Sequence, residues 1–447
     1  MMAMESRNVG AGIKTVKFGG SSLADAGQIK KVAEIIRADK SRRYVVPSAP
    51  GKRFREDEKV TDMLYALHTA ISGGAEFEDI YGRIRERFAQ IISGLGMDFA
   101  LDAELERIKG DLLAGFGRDY AASRGEYLNG KLLAEYLGFA FIDPAGAVKF
   151  RADGSFDADA TDEALKAALS RYEYAVIPGF YGALPDGTVK TFSRGGSDVT
   201  GSLVAKAADA QVYENWTDVS GFLMADPRIV DSPKQIRTIT YRELRELSYM
   251  GATVLHEESI FPVRKAGIPI NIRNTNIPDE PGTMIVAEAE PDKDNLITGI
   301  AGNRGFSSVA IEKDMMNQEI GFGRRVLDVF ERFGISFEHL PSGIDTLSVV
   351  VNTQALTKCE EELVAALYDA TKADHISVEH DIALIAVVGR GMRQVRGTAA
   401  RIFAAVAHAN VNVKMIDQGS SELNIIIGVS GEDFERSIKA IYEVFDN

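Results

Sequence analysis

Two glycine-rich loops, each carrying a cation, contain the residue types in this sequence that are best suited to chemistry. The run KFGGSS (17–22) and the run TFSRGGSD (191–198) each follow a predicted strand and precede a predicted helix. Glycines let the backbone approach an anion, and N–H groups at a helix start point towards it. Lys17 and Arg194 add a positive charge beside each loop, which suits a phosphoryl group or a carboxylate. The two loops together predict the two halves of one phosphate site.

Local chemistry alone leaves other interpretations open. The first loop lacks the GxxxxGK[ST] pattern of a Walker A loop, and a glycine turn beside a surface lysine explains it equally well. In the second loop, Asp198 is well placed to be the N-cap of the following helix. Glu126, in the run SRGE (123–126), is by default an acid on a helix face.

A third loop follows another predicted strand and contains the runs WTDVSG (216–221) and ADPR (225–228). Thr217 and Asp218 are candidates for contacts with a nucleotide, and Arg228 for a contact with a phosphate. A turn closed by an Asx cap explains the same residues equally well.

The elements that must position these loops indicate an α/β fold. Strands are predicted at 14–18, 43–47, 174–178, 188–192, 211–216 and 268–273, and helical patterns separate them, including a long stretch from about 60 to 137. This alternation predicts a mostly parallel sheet covered by helices on both faces. Functional loops in such sheets lie beyond the carboxyl ends of the strands, where the glycine-rich runs are found.

The last third of the chain contains an internal repeat with an offset of 76 residues. After a polar, acidic linker at 288–295, Gly321, Arg325, Gly343 and Leu347 recur without a gap, and the apolar pattern between them recurs as well. The recurring residues are Gly397, Arg401, Gly419 and Leu423. Each unit is predicted as strand, helix, strand, strand, helix, with a last strand clear only at 375–379 in the first unit. This order is typical of the ferredoxin-like split βαβ motif.

Composition excludes several classes of function. The 447 residues include 51 basic and 65 acidic ones, and a net charge of −14 argues against a general nucleic-acid binder. No apolar stretch is long enough to span a membrane, and 1–12 lacks the pattern of a targeting signal. The single Cys359 cannot form an internal disulfide, so a cytoplasmic location is expected. The six histidines show no metal-ligand spacing, and GxSxG and GxGxxG are absent.

Taken together, these motifs resemble the aspartate kinase family. The resemblance runs from Lys14 to Phe445 and rests on KFGGSS, SRGE, GF (179–180), FSRGGSD, WTDVSG, ADPR, the run at 250–270 and the tandem repeat. It implies an α/β amino-acid-kinase fold, a mostly parallel sheet sandwiched by helices, followed by two ferredoxin-like ACT regulatory domains. The expected boundaries are 1–287 for the catalytic domain, 288–297 for the linker, and 298–380 and 381–447 for the ACT domains.

The resemblance also implies ATP-dependent phosphorylation of the L-aspartate β-carboxylate to 4-phospho-L-aspartate, the first step towards lysine, threonine and methionine. The implied catalytic residues are Lys17, Arg194 and Asp198. The implied substrate-binding residues are Ser48, Thr61, Glu126, Phe180, Arg194 and Ser197. The implied nucleotide-binding residues are Lys17, Gly19, Gly20, Ser21, Gly195, Gly196, Thr217, Asp218, Asp226 and Arg228. Mg²⁺ is expected to enter with ATP, without protein side chains as ligands.

Feedback inhibition is expected through the first ACT unit, with L-lysine as the effector and threonine as an alternative. The expected effector-binding residues are Gly321, Phe322, Gly323, Ser336, Phe337 and Glu338. An acid at 338 can pair with the effector's ammonium group, whereas Lys414, its counterpart in the second unit, would repel it. The glycines around Phe322 are expected to leave backbone N–H groups free for the effector's carboxylate. A homodimer or tetramer formed through the ACT domains is expected, with neither a nucleic acid nor a membrane as partner.

Three departures from the family pattern concern binding. A polar insert occupies Lys52–Lys59, and Leu223 and Thr253 stand where many members have a tyrosine and a lysine that contact the nucleotide. Two other functions stay open: an amino-acid kinase for another acid such as glutamate, and a degenerate kinase retained as an amino-acid sensor. Retention of Lys17, Arg194 and Asp198 favours an active kinase.

Overall fold

The computed structural model describes residues 12–193, 195–251, 255, 257–290 and 296–446, with only the backbone for 257 and 258. These residues form two compact units. The first contains 12–222, 237–241 and 255–288, and the second contains 223–236, 242–251, 289–290 and 296–446, counting described residues only. Arg194 and Thr253, two residues singled out from the sequence, lie outside the described residues.

The strands and helices are numbered separately in chain order. The strands are β1 Lys14–Phe18, β2 Arg42–Pro47, β3 Ala140–Phe141, β4 Ala175–Val176, β5 Tyr181–Ala183, β6 Val189–Thr191, β7 Val212–Thr217, β8 Thr238–Thr240, β9 Ile270–Asn274, β10 Thr283–Val286, β11 Gly299–Glu312, β12 Phe337–His339, β13 Thr346–Asn352, β14 His375–Val388, β15 Met415–Asp417 and β16 Asn424–Ser430. The helices are α1 Ala26–Ala38, α2 Val60–Ser72, α3 Glu78–Leu95, α4 Asp102–Leu113, α5 Arg118–Leu137, α6 Pro144–Ala147, α7 Ala158–Leu169, α8 Gly196–Ala207, α9 Tyr241–Tyr249, α10 Glu257–Ala266, α11 Phe322–Arg332, α12 Thr353–Leu356, α13 Glu360–Thr371, α14 Thr398–His408 and α15 Phe434–Asp446.

The first unit is built on an eight-stranded sheet in the order β3-β4-β2-β1-β7-β9-β10-β8. Neighbouring strands run parallel from β3 to β9, and β10 pairs antiparallel with β9. The mostly parallel sheet predicted from the sequence is therefore confirmed. Because β1 and β2 are adjacent and parallel, the loops that follow them leave the sheet at the same edge.

Helices cover this sheet on both faces, as the alternation of side chains requires. Val16 and Phe18 of β1 and Val45 of β2 belong to a core formed with α1 to α5. Tyr44 and Val46 point to the other face, where they pack with residues of α7 and α8. Lys17 alternates with Val16 and Phe18, so its side chain lies on the α8 side.

The segment predicted as a strand at 188–192 forms β6, but β6 lies outside the main sheet. It pairs antiparallel with β5 in a separate two-stranded ribbon, and its three residues are only half-buried. The second glycine-rich loop therefore follows a short ribbon, whereas the first follows the buried strand β1.

The second unit contains an antiparallel six-stranded sheet in the order β12-β13-β11-β14-β16-β15. The helix and strand order predicted for both repeats is present, and β14 begins at His375, as expected for the last strand of the first unit. Both β11 and β14 have 14 residues and are shared between the repeats. The first half of β11 pairs with Leu384–Val388, so it supplies the second repeat with a strand that no later segment provides.

Candidate active site

Lys17 and Asp198 form an ion pair at the end of β1. The Nζ atom of Lys17 lies 2.7 Å from Oδ1 of Asp198 and donates to Oδ1 of Asn215 at 3.3 Å. Asn215 in turn donates from Nδ2 to Asp198 Oδ1 at 2.8 Å. Lys17 is only 8% exposed, so this ammonium is held in a fixed position. A fixed positive charge is suited to stabilising charge that develops in a transition state.

Asn215 was not identified from the sequence. It is the register partner of Lys17 in the parallel pair β1–β7, so the two side chains leave the sheet side by side. In the sequence, Asn215 is marked only by its position one residue before the run WTDVSG. Its place beside Lys17 depends on how β1 and β7 pair, which the sequence does not reveal.

Asp198 does not cap α8. The residue that precedes the helix is Gly195, in the left-handed region with φ 56°, and Asp198 lies in the first turn. The N-cap interpretation is therefore wrong, because a glycine in this conformation begins the helix earlier and leaves the carboxylate free to pair with Lys17.

The loop after β1 approaches the loop after β2 very closely. A Cβ on Gly51 would lie 2.5 Å from the carbonyl carbon of Gly20, and the Gly51 N–H donates to the Gly20 carbonyl at 2.8 Å. The Gly19 N–H donates to the Trp216 carbonyl at 3.0 Å, so it is not available to an anion. The N–H groups of Gly20 and Ser21 have no hydrogen-bond acceptor among the described residues and are the donors this loop can offer to a phosphate.

The segment Gly179-Phe180 packs against the second glycine-rich loop. A Cβ on Gly196 would lie 2.4 Å from Cδ2 of Phe180, and a Cβ on Gly179 would lie 2.6 Å from Oγ of Ser197. Phe180 has a φ of 83°, and its N–H donates to Oγ1 of Thr200 at 3.1 Å. A non-glycine residue in this region is strained and is held there by its surroundings. The structure thus brings together two motifs that are separate in the sequence.

A cavity of about 570 Å³ lies beside the first glycine-rich loop. Its lining includes six of the predicted site residues: Gly20, Ser21, Ser48, Thr61, Glu126 and Asp218. The carbonyl of Ser48 accepts from Nδ2 of Asn129 at 2.7 Å, which ties the end of β2 to α5. Candidate nucleotide-binding and substrate-binding residues therefore share one space.

Glu126 has an unusual environment for a carboxyl group. It is 6% exposed and lines the cavity, and its Oε2 atom has no hydrogen-bond partner among the residues that the structure describes. Burial raises the pKa of Glu126 to about 8, against the opposing effects of the backbone bonds from Ala49 and Glu126 and of the charge on Arg124. A buried oxygen without a partner is costly, so the cavity favours a ligand that brings a hydrogen-bond donor or a cation to this point.

Arg124, two residues earlier, is a buried cation that has no carboxylate hydrogen-bond partner in the described part of the chain. Its guanidinium lies over the rings of Tyr120 and Tyr127, at 4.5 Å from each centroid, and 5.2 Å from that of Tyr181. It donates to Oγ of Ser123. Its charge lowers the pKa of Glu126 and so opposes the effect of burial. The motif SRGE was noted in the sequence, but no role was assigned to its arginine.

The remaining nucleotide candidates fall in different units. Thr217 and Asp218 belong to the first unit, where Oγ1 of Thr217 donates to Oδ1 of Asp218 at 3.1 Å. Asp226 and Arg228 belong to the second unit, where the Arg228 N–H donates to Oδ1 of Asp226 at 2.8 Å and Nη2 lies 2.6 Å from Oδ2. This is the Asx turn that the sequence allowed, and a contact of Arg228 with a phosphate stays a prediction.

The effector candidates lie in the second unit, and one of the backbone N–H groups around Gly321–Gly323 is already bonded. Gly321 has a φ of 83° and precedes α11, but the N–H of Phe322 donates to the Glu319 carbonyl at 3.2 Å, so it is not free for a ligand. Ser336 and Phe337 are exposed. Glu338 is half-buried and accepts a hydrogen bond from the hydroxyl of Tyr249, a residue that the sequence analysis did not identify. This bond is the main reason that the pKa of Tyr249 is raised to about 12.

No metal site is formed by the side chains that the structure describes: no group of three or more His, Cys, Asp or Glu among them could hold an ion. In the same described part of the chain, no helix has both the length and the apolar character needed to cross a membrane.

Comparison with known proteins agrees with this geometry. Residues 13–274 match the amino acid kinase family, and residues 385–445 match an ACT domain. Aspartokinase 3 of Bacillus subtilis (strain 168) is 38% identical over 451 residues, which is 97% of this chain and 98% of the relative.

Solved structures show the same similarity. Aspartate kinase of Clostridium acetobutylicum matches with a TM-score of 0.88 and 49% identity over 97% of this chain and 100% of that one. Two structures of E. coli aspartokinase III, one with aspartate and ADP and one with lysine and aspartate, match with TM-scores of 0.71 and identities of 26% and 25%. Each covers 97% of this chain and 100% of the other. This chain therefore belongs to the amino acid kinase family and, within it, to the aspartate kinases.

Proposed function

We propose that this chain transfers the γ-phosphoryl group of ATP to the β-carboxylate of L-aspartate and releases 4-phospho-L-aspartate and ADP. The observation that carries the proposal is the unpartnered Oε2 atom of Glu126, which lines the same cavity as the donor N–H groups of Gly20 and Ser21. The first feature suits an ammonium group and the second suits a phosphate, so the cavity fits an amino acid beside a nucleotide.

The reaction needs little covalent chemistry from the protein. An oxygen of the β-carboxylate attacks the γ-phosphorus, and the bond from that phosphorus to the oxygen bridging it to the β-phosphate breaks. A carboxylate is already ionised at pH 7, so no general base is required. The side chains therefore act by positioning the two substrates and by compensating charge.

Positions in the structure support the roles proposed for Lys17 and Glu126, and side-chain chemistry supports the role proposed for Arg194. Lys17, fixed by Asp198 and Asn215, stabilises the transferring phosphoryl group, since its ammonium is fixed beside the glycine-rich loop. Glu126 binds the substrate ammonium, with Ser48 and Thr61 in the same cavity. Arg194, which lies outside the described residues, is proposed to bind a substrate carboxylate because a guanidinium can donate two parallel hydrogen bonds to it.

Magnesium is proposed to enter as the complex with ATP. Mg²⁺ is commonly bound through nucleotide phosphates, water and one or two carboxylates. Asp218 lines the cavity and is a candidate for the nucleotide site, so its carboxylate is the side chain proposed to lie beside the ion. When bound, the ion would compensate charge on the phosphates.

The relatives support the choice of substrate. E. coli aspartokinase III was solved with aspartate and ADP, and that pairing is the product nucleotide together with the acceptor proposed for this chain. A kinase for another acid and a sensor without activity are the alternatives. An assay of ADP release with L-aspartate, L-glutamate or no acceptor separates the three functions. Turnover with L-aspartate alone is expected, whereas a preference for L-glutamate or the absence of turnover would contradict the proposal.

For regulation, we propose that L-lysine binds the first ACT unit and pairs with Glu338, with threonine as the alternative effector. A lysine-bound structure of the E. coli relative supports lysine. Because the Tyr249 hydroxyl donates to Glu338, the effector must compete with it. Glu338→Ala is expected to abolish lysine inhibition, whereas Tyr249→Phe keeps the carboxylate and is expected to retain inhibition. Equal inhibition of wild type and Glu338→Ala would exclude Glu338 from the effector site.

The assembly and the domain limits also stay proposals. A homodimer or tetramer formed through the ACT repeats is proposed because these repeats are small sheet domains with edge strands β12 and β15. Light scattering on the full chain would test it, and a monomer at working concentration would contradict it. The domain limits 1–287, 288–297, 298–380 and 381–447 are retained as a proposal, with the first half of β11 assigned structurally to the second repeat.

A further inference from the structure

The polar insert Lys52–Lys59 separates its charges between two cavities. Its basic residues line the 570 Å³ cavity, together with Ser48, Thr61 and Glu126. Its acidic residues, Glu56, Asp57 and Glu58, line a different cavity of about 430 Å³, together with residues of α3 and with Arg53, which lines both cavities. The basic residues are Lys52, Arg53, Arg55 and Lys59.

The acidic side of the insert anchors it to α3. Arg87 is buried, and its guanidinium donates to Oδ2 of Asp57 at 2.8 Å and to the carbonyl of Gly51 at 2.5 Å. Asp57 also accepts from the Arg53 backbone N–H, at 2.9 Å, and from the Arg53 guanidinium, at 2.8 and 2.9 Å. Glu58 pairs with Arg83. These bonds fix the insert at its centre and at its junction with the sheet.

The anchoring leaves three cations on the active-site side without a carboxylate partner. Arg53 shares the carboxylate of Asp57 with Arg87, but no described carboxylate forms an ion pair with Lys52, Arg55 or Lys59. The Nζ atom of Lys52 donates to the Arg55 carbonyl, at 3.4 Å. Lys52, Arg55 and Lys59 are exposed, and in a chain with a net charge of −14 three such cations grouped beside one cavity favour an anionic occupant.

We infer that Lys52, Arg55 and Lys59 form a cationic wall that binds the carboxylates of the acid substrate and reduces their repulsion with the nucleotide phosphates. The inference deepens the proposed function and rests on it. The insert lies between Ser48 and Thr61 in the sequence, and both of these substrate-binding candidates line the same cavity. The wall is therefore on the substrate side of the cavity. A carboxylate that attacks a phosphate must approach another anion, and at an effective dielectric constant near 20 such charges interact by several kcal/mol at contact distance.

The test compares the variants Arg55→Ala, Lys59→Ala and the double variant with Lys30→Ala. Lys30 is an exposed lysine of α1 that lines neither cavity, so it controls for the loss of a surface charge. We expect the double variant to raise the KM for aspartate about tenfold or more, a free-energy change of about 1.4 kcal/mol per tenfold. The KM for ATP and the melting temperature are expected to stay close to those of wild type. Arg55→Lys should restore most of the affinity lost in Arg55→Ala.

A second measurement separates this inference from the proposed function. Calorimetric titration of L-aspartate into the wild-type chain and the double variant measures binding without any turnover. If the wild type has no kinase activity but the double variant still binds aspartate about tenfold more weakly, the proposed function fails and the wall stands. If the aspartate constants of the double variant stay within twofold of wild type, or the ATP constant rises as much as the aspartate constant, the wall does not bind the acid.

Discussion

Binding of L-aspartate should release a proton from Glu126. In the ligand-free protein, burial raises the pKa of this carboxyl to about 8, so it is mostly protonated at pH 7. An ammonium group placed beside the Oε2 atom favours the ionised form, because a nearby cation lowers the pKa of a carboxyl group. The substrate therefore displaces the proton that Glu126 holds in its absence.

The size of this effect follows from the pKa. With a pKa of about 8, roughly nine molecules in ten carry the proton at pH 7, so binding releases about 0.9 proton there. Because binding requires ionised Glu126, the affinity for aspartate should rise about tenfold from pH 6 to pH 7 and level off above pH 8. Since one pKa unit corresponds to about 1.4 kcal/mol, the cost of ionising Glu126 for binding at pH 7 is about 1.4 kcal/mol.

The assay is calorimetric titration of L-aspartate in buffers of different ionisation enthalpy. The slope of the observed enthalpy against the buffer enthalpy gives the number of protons released. Glu126→Gln should abolish the release, whereas Glu34→Gln, at an exposed position of α1, should leave it unchanged. A wild-type slope near zero at pH 7, or an unchanged slope in Glu126→Gln, would refute the reasoning.

The same pKa has a consequence for stability, with a definite sign. The pKa of Glu126 rises from 4.5 to about 8 on folding, so the folded state holds its proton more tightly than the unfolded state. The favourable contribution is complete below pH 4.5 and is lost progressively as the pH rises to 8. At pH 7 the loss is about 3 kcal/mol, at about 1.4 kcal/mol per unit above 4.5. Denaturant unfolding of Glu126→Gln should therefore show higher stability than wild type at pH 8 and a smaller difference at pH 5.

Three other substitutions test the remaining parts of the site. Lys17→Met should lower turnover by about 10²–10³ at saturating ATP and aspartate while the chain stays folded, and turnover within about threefold of wild type would remove Lys17 from catalysis. Arg194→Ala should raise the KM for aspartate far more than the KM for ATP, and the opposite result would assign Arg194 to the nucleotide. Arg87→Ala should lower the free energy of unfolding by about 2 kcal/mol, because it removes the buried hydrogen bonds to Asp57 and to the Gly51 carbonyl while Arg53 remains paired with Asp57, and it should also expose the insert to proteolysis. Unchanged stability and unchanged proteolysis would show that Arg87 does not anchor the insert.

Much of the fold was predictable because it depends on local periodicity. The apolar spacing of α1 and the buried runs of β1 and β2 are visible in the sequence, and the helix and strand order of both repeats was predicted correctly. The position of β6 was not predictable. Its three residues have the same alternation as a sheet strand, but they pair with β5, six to ten residues earlier in the chain, and only tertiary pairing decides between the main sheet and this ribbon.

The site residues that belong to sequence motifs were predictable, whereas the features that depend on tertiary packing were not. Gly20 and Glu126 belong to recognisable runs, and the structure brings both to one cavity. The burial of Glu126 could not be inferred, because α5 is buried on nearly all sides and lacks the polar face that would mark an unusual carboxyl. Asn215 depends on the register of β1 with β7, and the start of α8 depends on the left-handed conformation of Gly195. These features are set by contacts between distant segments.

The charged groups around the cavity act on the two ends of the same substrate. Without substrate, Glu126 is largely neutral, so the buried part of the cavity carries little negative charge to oppose an incoming anion. The cations of the insert face the same space and attract the carboxylates of the substrate. Once the substrate ammonium reaches Oε2, Glu126 ionises and the amino end is held by an opposite charge. A neutral molecule lacks the carboxylates, and a dicarboxylate without an amino group cannot stabilise the ionised Glu126. The arrangement therefore selects for an acidic amino acid through two interactions that act at opposite ends of one ligand.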